Sequence, residues 1–194
     1  MRHGRDPEIL LDPPPNFTIE ILVNGRDRIP DYSFVGNHAG LASPSDALLL
    51  WVVPEDAEPW TGRFEGGYRS PSAVTTVRTG PRPDLLLVVN KGAGFLVPVD
   101  DPDSAIELEL GPVVGVAVSP EDDTFVAADF THLAGFRPEG RRWIAEVSWD
   151  GVELDGIEGG VVHGRGWDAP RGRKTDFALD VRDGRILRGV TPRP

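Results

Sequence analysis

Val113-Val114-Gly115-Val116-Ala117-Val118-Ser119-Pro120-Glu121-Asp122-Asp123-Thr124-Phe125-Val126-Ala127-Ala128-Asp129 places one short apolar run on each side of a proline and acidic turn. Each run is too short for an amphipathic helix and carries no 3.6-residue period, so the stretch reads as strand, turn, strand. The arrangement recurs. Asp46-Ala47-Leu48-Leu49-Leu50, Asp84-Leu85-Leu86-Leu87-Val88 and Asp123-Thr124-Phe125-Val126-Ala127 each follow an acidic residue with an apolar run. Pro44, Pro83 and Pro120 lie just upstream, and the acidic residues are 38 and 39 residues apart.

Neighbouring features keep the same step. Residues 73–77 answer 113–118, Pro98 answers Pro138, and Ile106 answers Ile144. Residues 152–157, 160–163, 177–181 and 186–190 make a more divergent fourth round. A period near 40 with about four strands in each is the pattern of a β-propeller blade, a four-stranded meander that buries its faces only against its neighbours. The expected fold is therefore all-β, with propeller-like repeated antiparallel four-stranded meanders over units of about 32–71, 72–111, 112–150 and 151–190. An irregular β-sandwich or barrel is the alternative, because any all-β chain has turn signals every 8 to 12 residues or so. The best helical stretch, residues 43–51, has cap-like residues followed by good helix formers. Pro54 closes it early, and its place in the repeat favours a strand.

Composition narrows the function classes. A chain of 194 residues suits one domain, and 23 Gly with 19 Pro, spread among apolar runs, are the punctuation of many short strands. Residues 17–194 read as that domain, and residues 1–16 as a mobile tail with the stiff spacer Asp12-Pro13-Pro14-Pro15-Asn16. The net charge of −11 opposes capture of nucleic acid or an anionic membrane, so the expected partner is another protein, neutral or basic, with a small molecule as a further option. With no cysteine there are no disulfides, thiolate nucleophiles or Cys-ligated metals. Ile9-Leu10-Leu11 is too short for a signal-peptide core, and no stretch approaches the roughly 20 apolar residues of a membrane helix, so a cytoplasmic location is expected.

The 113–129 stretch resembles the strand, Ser-Pro-acidic turn, strand core of WD40-like and quinoprotein-like blades, and Gly135-Phe136-Arg137-Pro138-Glu139-Gly140-Arg141-Arg142-Trp143 looks like the next hairpin of such a blade. The Gly-His and Trp-Asp pair of a true WD40 repeat is not placed as that repeat has it; Trp149-Asp150 before Gly151 reads as a turn. More broadly, residues 60–189 resemble an uncharacterised family of bacterial proteins. That likeness is carried by Ala128-Asp129-Phe130-Thr131, by Pro138 to Trp143, by Ser148-Trp149-Asp150-Gly151 and by Gly164-Arg165-Gly166-Trp167-Asp168-Ala169-Pro170. It implies a β-rich fold and no particular activity.

Catalytic signatures are missing. There is no Gly-x-Ser-x-Gly elbow, no His-Glu-x-x-His, no Gly-Lys-Ser/Thr phosphate loop and no Gly-x-Gly-x-x-Gly before a helix. The chain reads more readily as a non-enzyme, and it calls for no cofactor and no metal. Of four histidines, at 3, 38, 132 and 163, the first lies in the tail. Asp129 and His132 sit at a strand end where an acid/base or binding pair could form, although an odd separation on an extended strand would point them to opposite faces. The plainer reading has Asp129 accepting backbone N–H groups in a turn and His132 at the surface. The acidic clusters Asp100-Asp101-Pro102-Asp103 and Glu121-Asp122-Asp123 lack an EF-hand pattern and read as solvated turns.

The strongest recognition element is His163-Gly164-Arg165-Gly166-Trp167-Asp168-Ala169-Pro170, in which glycines permit close backbone approach and an indole offers a large apolar face with one donor. Trp149 and Asp150 share this character. The alternative is a Trp that plugs a junction between blades. Arg137, Arg141 and Arg142, with Arg171, Arg173 and Lys174 in what the repeat makes the equivalent hairpin, could form a local positive rim or merely exposed loops. Two functions follow. One is a non-catalytic interaction or ligand-binding module displaying the Trp167-Asp168 loop and the Arg-bearing hairpins. The other is a small metal-assisted or carboxylate/His hydrolase gathering Asp129, His132, His163 and Asp168 at one end.

Overall fold

The structure, a computed structural model, describes residues 7–22, 29–37 and 46–189; His3, His38 and residues 43–45 of the helical stretch lie outside them. The described residues form seventeen strands and no α-helix. No helix among them is long and apolar enough to cross a membrane.

Four sheets follow one another along the chain. Sheet I holds β2 (Phe17–Ile21), β3 (Tyr32–Phe34), β4 (Leu48–Pro54) and β5 (Trp60–Phe64). Sheet II holds β1 (Glu8–Leu10), β6 (Thr76–Thr79), β7 (Leu85–Asn90), β8 (Ala93–Pro98) and β9 (Ile106–Glu107). Sheet III is β10 (Gly115–Ser119), β11 (Thr124–Ala128), β12 (His132–Arg137) and β13 (Gly140–Glu146). Sheet IV is β14 (Val152–Glu158), β15 (Val161–Asp168), β16 (Arg173–Asp180) and β17 (Ile186–Arg188). Sheets III and IV are plain antiparallel meanders, each strand pairing with the next. The fold is all-β and propeller-like.

The repeat is looser toward the N-terminus. Sheet I runs β2-β4-β5-β3, so its inner strand comes from residues 17–21 and its outer strand, β3, is parallel to β5. Glu8–Leu10, read from sequence as part of a mobile tail, instead form a strand parallel to β6, and Thr76 Oγ1 donates to the Glu8 carbonyl at 3.0 Å. The physical reason is the unpaired edge of β6, which offers backbone groups that an adjoining extended segment satisfies. Leu48–Pro54, which takes up the end of the best helical stretch, is a strand with alternating burial, because every second side chain faces sheet II.

Three apolar clusters hold the sheets face to face. Phe17, Leu50, Val52 and Phe64 of sheet I meet Leu86, Val88 and Val97 of sheet II. Leu85, Leu87 and Val89, on the opposite face of β7, meet Phe125, Ala127 and Phe136 of sheet III. Val126, Ala128 and Leu133 of sheet III then meet Val162, Phe177 and Leu179 of sheet IV. Strands β7 and β11 are thus buried on both faces, which is why they read as continuous apolar runs rather than alternating ones. Each buried Leu or Phe contributes about 1.5–3 kcal/mol. Sheet IV turns Glu153, Arg165 and Lys174 outward as an ion-paired face.

Two indoles close joints between sheets. Trp60 of β5 donates Nε1–H to the Val99 carbonyl at 2.8 Å, joining sheets I and II. Trp143 of β13 donates to the Val181 carbonyl at 2.9 Å, joining sheets III and IV. The two acceptors directly follow β8 and β16.

Candidate functional site

Successive turns of an antiparallel meander alternate between its two ends, and this sorts the singled-out residues into two groups. At one end lie the β11–β12 turn, the link 147–151 and the β15–β16 turn. Val147 N and Ser148 N both donate to the Thr131 carbonyl, at 2.9 and 3.2 Å, and Trp149 N donates to the Trp167 carbonyl at 2.8 Å. These bonds lash the turns of sheets III and IV together. A Cβ at Gly166 would lie 2.3 Å from the Val147 carbonyl oxygen, so only glycine lets the link lie flat on β15.

Asp129 is the hub of the first turn. Its Oδ1 accepts from Thr131 N at 2.7 Å and His132 N at 2.6 Å, and His132 Nδ1 lies 2.7 Å from Thr131 Oγ1. Asp129 Oδ1 and His132 Nδ1 are 3.5 Å apart. The turn therefore does bring carboxylate and imidazole together, but the carboxylate is engaged by backbone donors, the Asx pattern that short acidic side chains make in turns.

Ser148, fully buried, plays the same part in the link. Its Oγ donates to the Gly151 carbonyl at 3.0 Å and accepts from Trp167 N at 2.9 Å and Asp150 N at 3.2 Å. Trp149 is half-buried and Asp150 exposed. Asp168 is fully buried: its Oδ1 caps the short turn Ala169–Arg171 by accepting from Arg171 N at 3.3 Å, and its Oδ2 pairs with Arg171 Nη1 at 3.0 Å. Trp167, on the opposite face of β15, keeps 38% of its surface exposed on a backbone held from both sides. His163 points to the same face as Trp167, but it lies five residues up the strand from Asp168, about 17 Å at the usual rise.

The arginines sit elsewhere. Arg137 reaches Thr124 Oγ1 and the Asp122 carbonyl, both at 3.4 Å, and Arg182 pairs with Asp122 Oδ1 at 3.2 Å, all at the opposite end. Arg141 donates to the Glu109 carbonyl at 2.9 Å, and Arg142 is exposed. Arg171, Arg173 and Lys174, expected in the hairpin equivalent to that of Arg137 to Arg142, belong to β15–β16 at the Asp129 end. The matching hairpin of sheet IV is β16–β17, with Arg182 and Arg185. Arg137 is held by uncharged oxygens, while Arg141 and Arg182 are paired with Glu109 and Asp122, so the expected positive rim is broken up.

The electrostatics of single groups agree with this picture. A side-chain hydrogen bond from Lys174, helped by Arg165, holds the Glu153 carboxyl below its ordinary range. Burial raises the Tyr68 phenol above 10.0, and the negative charges of Glu107 and Asp129 add to the rise. Asp101 accepts from Ser104 Oγ, and Asp122 from Ser119 Oγ at 2.9 Å, so both acidic clusters build turns. No group of three or more metal-ligating side chains comes together among the described residues.

The sequence reading missed Thr131 and Ser148, the two small polar residues that splice the turns. Ser148 carried a readable signal, a hydroxyl three residues before Gly151. Thr131 carried none, since its acceptor role belongs to its backbone.

No family model matches the chain. No curated protein matches it either. Among solved structures, the chain is similar to dihydro-heme d1 dehydrogenase NirN in complex with DHE, with 13% sequence identity and a TM-score of 0.48 over 82% of this chain. The match spans 37% of that chain's length.

Proposed function

We propose that the chain is a non-catalytic β-repeat interaction module that receives a protein partner at the Asp129 end of sheets III and IV. One observation carries the reading: the Trp167 indole is partly exposed while the backbone on which it stands is fixed by Ser148, Trp149 and the buried Asp168. A rigid, half-wet indole contributes contact area at little entropic cost, and Trp is enriched among residues that dominate binding energy. Asp150, whose N–H is held by the same Ser148 hydroxyl as the Trp167 N–H, supplies a polar group beside it, and the acidic body favours a neutral or basic partner. Arg141 and Arg142 belong to the other end and enter this surface only if the partner spans the molecule.

The test is affinity capture from the native host with the unmodified chain, Trp167→Ala, and the double variant Arg141→Ala/Arg142→Ala. A partner lost with Trp167→Ala and kept with the arginine pair supports the reading. A partner set that is unchanged by Trp167→Ala refutes it.

A further inference from the structure

The joints between sheets are not alike. Joint I–II is closed by the Trp60 indole and joint III–IV by that of Trp143, donating to backbone carbonyls just past β8 and β16 respectively. At joint II–III, the residue in the place of Trp143 is Ile106. Both stand on the last strand of their sheet, β9 and β13, opposite a residue of the strand before it, Ile106 across from Leu96 and Trp143 across from Gly135, and both face the following sheet. Among the described residues no indole spans this joint.

A groove of about 420 Å3 opens there, with Ile106 and Phe136 as its apolar floor and Glu107, Glu109 and Arg141 on its rim. That volume lies within the range of sites that hold a small ligand or one large side chain. The rim is acidic on balance. Arg141 is engaged by Glu109, through the carbonyl at 2.9 Å and the carboxylate at 3.6 Å. Glu107 Oε1 accepts from Asn37 N at 2.8 Å, which leaves the carboxylate charge uncompensated by any ion pair among the described residues.

We propose that this groove is a docking site for a tryptophan side chain flanked by lysine or arginine in a peptide segment of a partner protein. The molecule itself shows what fits such a joint, since its two other joints are filled by indoles. The charge of the rim, on a chain with net charge −11, selects a basic neighbour for that ring. The recognition mode is an aromatic anchor on a small apolar floor inside a charged rim. It does not depend on the Asp129 end.

The experiment uses the full chain and three capped tripeptides, Lys-Trp-Lys, Glu-Trp-Glu and Lys-Ala-Lys, followed by amide chemical-shift titration. The expected result is saturable shifts for Lys-Trp-Lys centred on Ile106, Gly140 and Arg141, with Glu-Trp-Glu and Lys-Ala-Lys silent. Glu107→Gln weakens binding about threefold to fivefold, as expected for a partly exposed charge pair. Ile106→Trp fills the groove from within, abolishes the shifts and raises Tm. If Ile106→Trp fails to fold, the Glu107→Gln/Glu109→Gln pair keeps the test open, because it leaves the apolar floor intact. Trp167→Ala leaves the titration unchanged, which separates this groove from the partner surface at the Asp129 end. Absence of saturable shifts with Lys-Trp-Lys, or equal shifts with Glu-Trp-Glu, overturns the proposal.

Discussion

Trp143 Nε1 and the Val181 carbonyl oxygen are 2.9 Å apart, and this bond ties the outermost strand of sheet III to the end of the third strand of sheet IV. The indole lies over Gly135 and Gly184, where an added Cβ would come within 2.2 Å and 2.5 Å of the ring. Trp143→Phe keeps most of the ring packing and loses the bond, so it is expected to cost about 1 kcal/mol in chemical denaturation. Trp143→Ala empties the joint and is expected to cost about 2–4 kcal/mol, less than a fully buried indole because Trp143 is half-buried. Equal losses for the two variants would show that packing contributes nothing beyond the bond.

Gly166 tests the splice between the sheets. Gly166→Ala drives a methyl against the Val147 carbonyl oxygen and the Ser148 side chain, and is expected to lower stability by about 3 kcal/mol. Gly159→Ala meets no neighbouring atom but has φ of +56°, so about 1 kcal/mol is expected there. Thermal melts of the pair would contradict the splice if Gly166→Ala were the milder change.

The Asp129 turn separates a structural carboxylate from a chemical one. Asp129→Ala removes acceptors for two backbone N–H groups and is expected to cost about 1–3 kcal/mol, whereas Asp129→Asn keeps an acceptor oxygen and costs less. His132→Ala touches a half-exposed ring and is expected to change stability by about 0.5 kcal/mol or less. A larger loss for His132→Ala than for Asp129→Ala, read from urea midpoints, would reverse the assignment of the hub.

Much of the fold was legible because the apolar runs 85–89 and 124–128 are buried on both faces, and continuous burial writes itself into sequence as an unbroken run. The repeat step near 40 was likewise readable, since the start of β7 and the start of β11 share a proline, an acidic residue and an apolar strand. What failed were features set by edges. Glu8–Leu10 becomes a strand only because β6 has a free edge, and nothing in Glu-Ile-Leu says so. Arg171 falls in the β15–β16 turn and not in the hairpin equivalent to that of Arg137, because a repeat step near 40 residues does not specify which turn of a sheet carries the basic residues. The turn role of Asp129 was visible in its residue type; the burial of Asp168 was not, because it depends on which face of β15 is turned toward sheet III.

Tyr68 gives a pH signature. Burial raises its phenol above 10.0, so the fold favours the neutral form. The associated stabilisation is complete below the unfolded value near 10 and is lost as pH rises through the folded value. With two tyrosines in the chain, ultraviolet titration is expected to show a phenol ionising above 10, and Tyr68→Phe removes it. Persistence of the late step in Tyr68→Phe would contradict the assignment.

The central claim is that the partner of the proposed interaction module is met at the end carrying Trp167 and Asp150, a surface separate from the groove beside Arg141. Photo-crosslinking decides it, with a benzophenone side chain placed singly at position 150, 167 or 142 and the chain exposed to host extract. A shared adduct from positions 150 and 167, absent from position 142, is the expected result. Adducts confined to position 142 would contradict it.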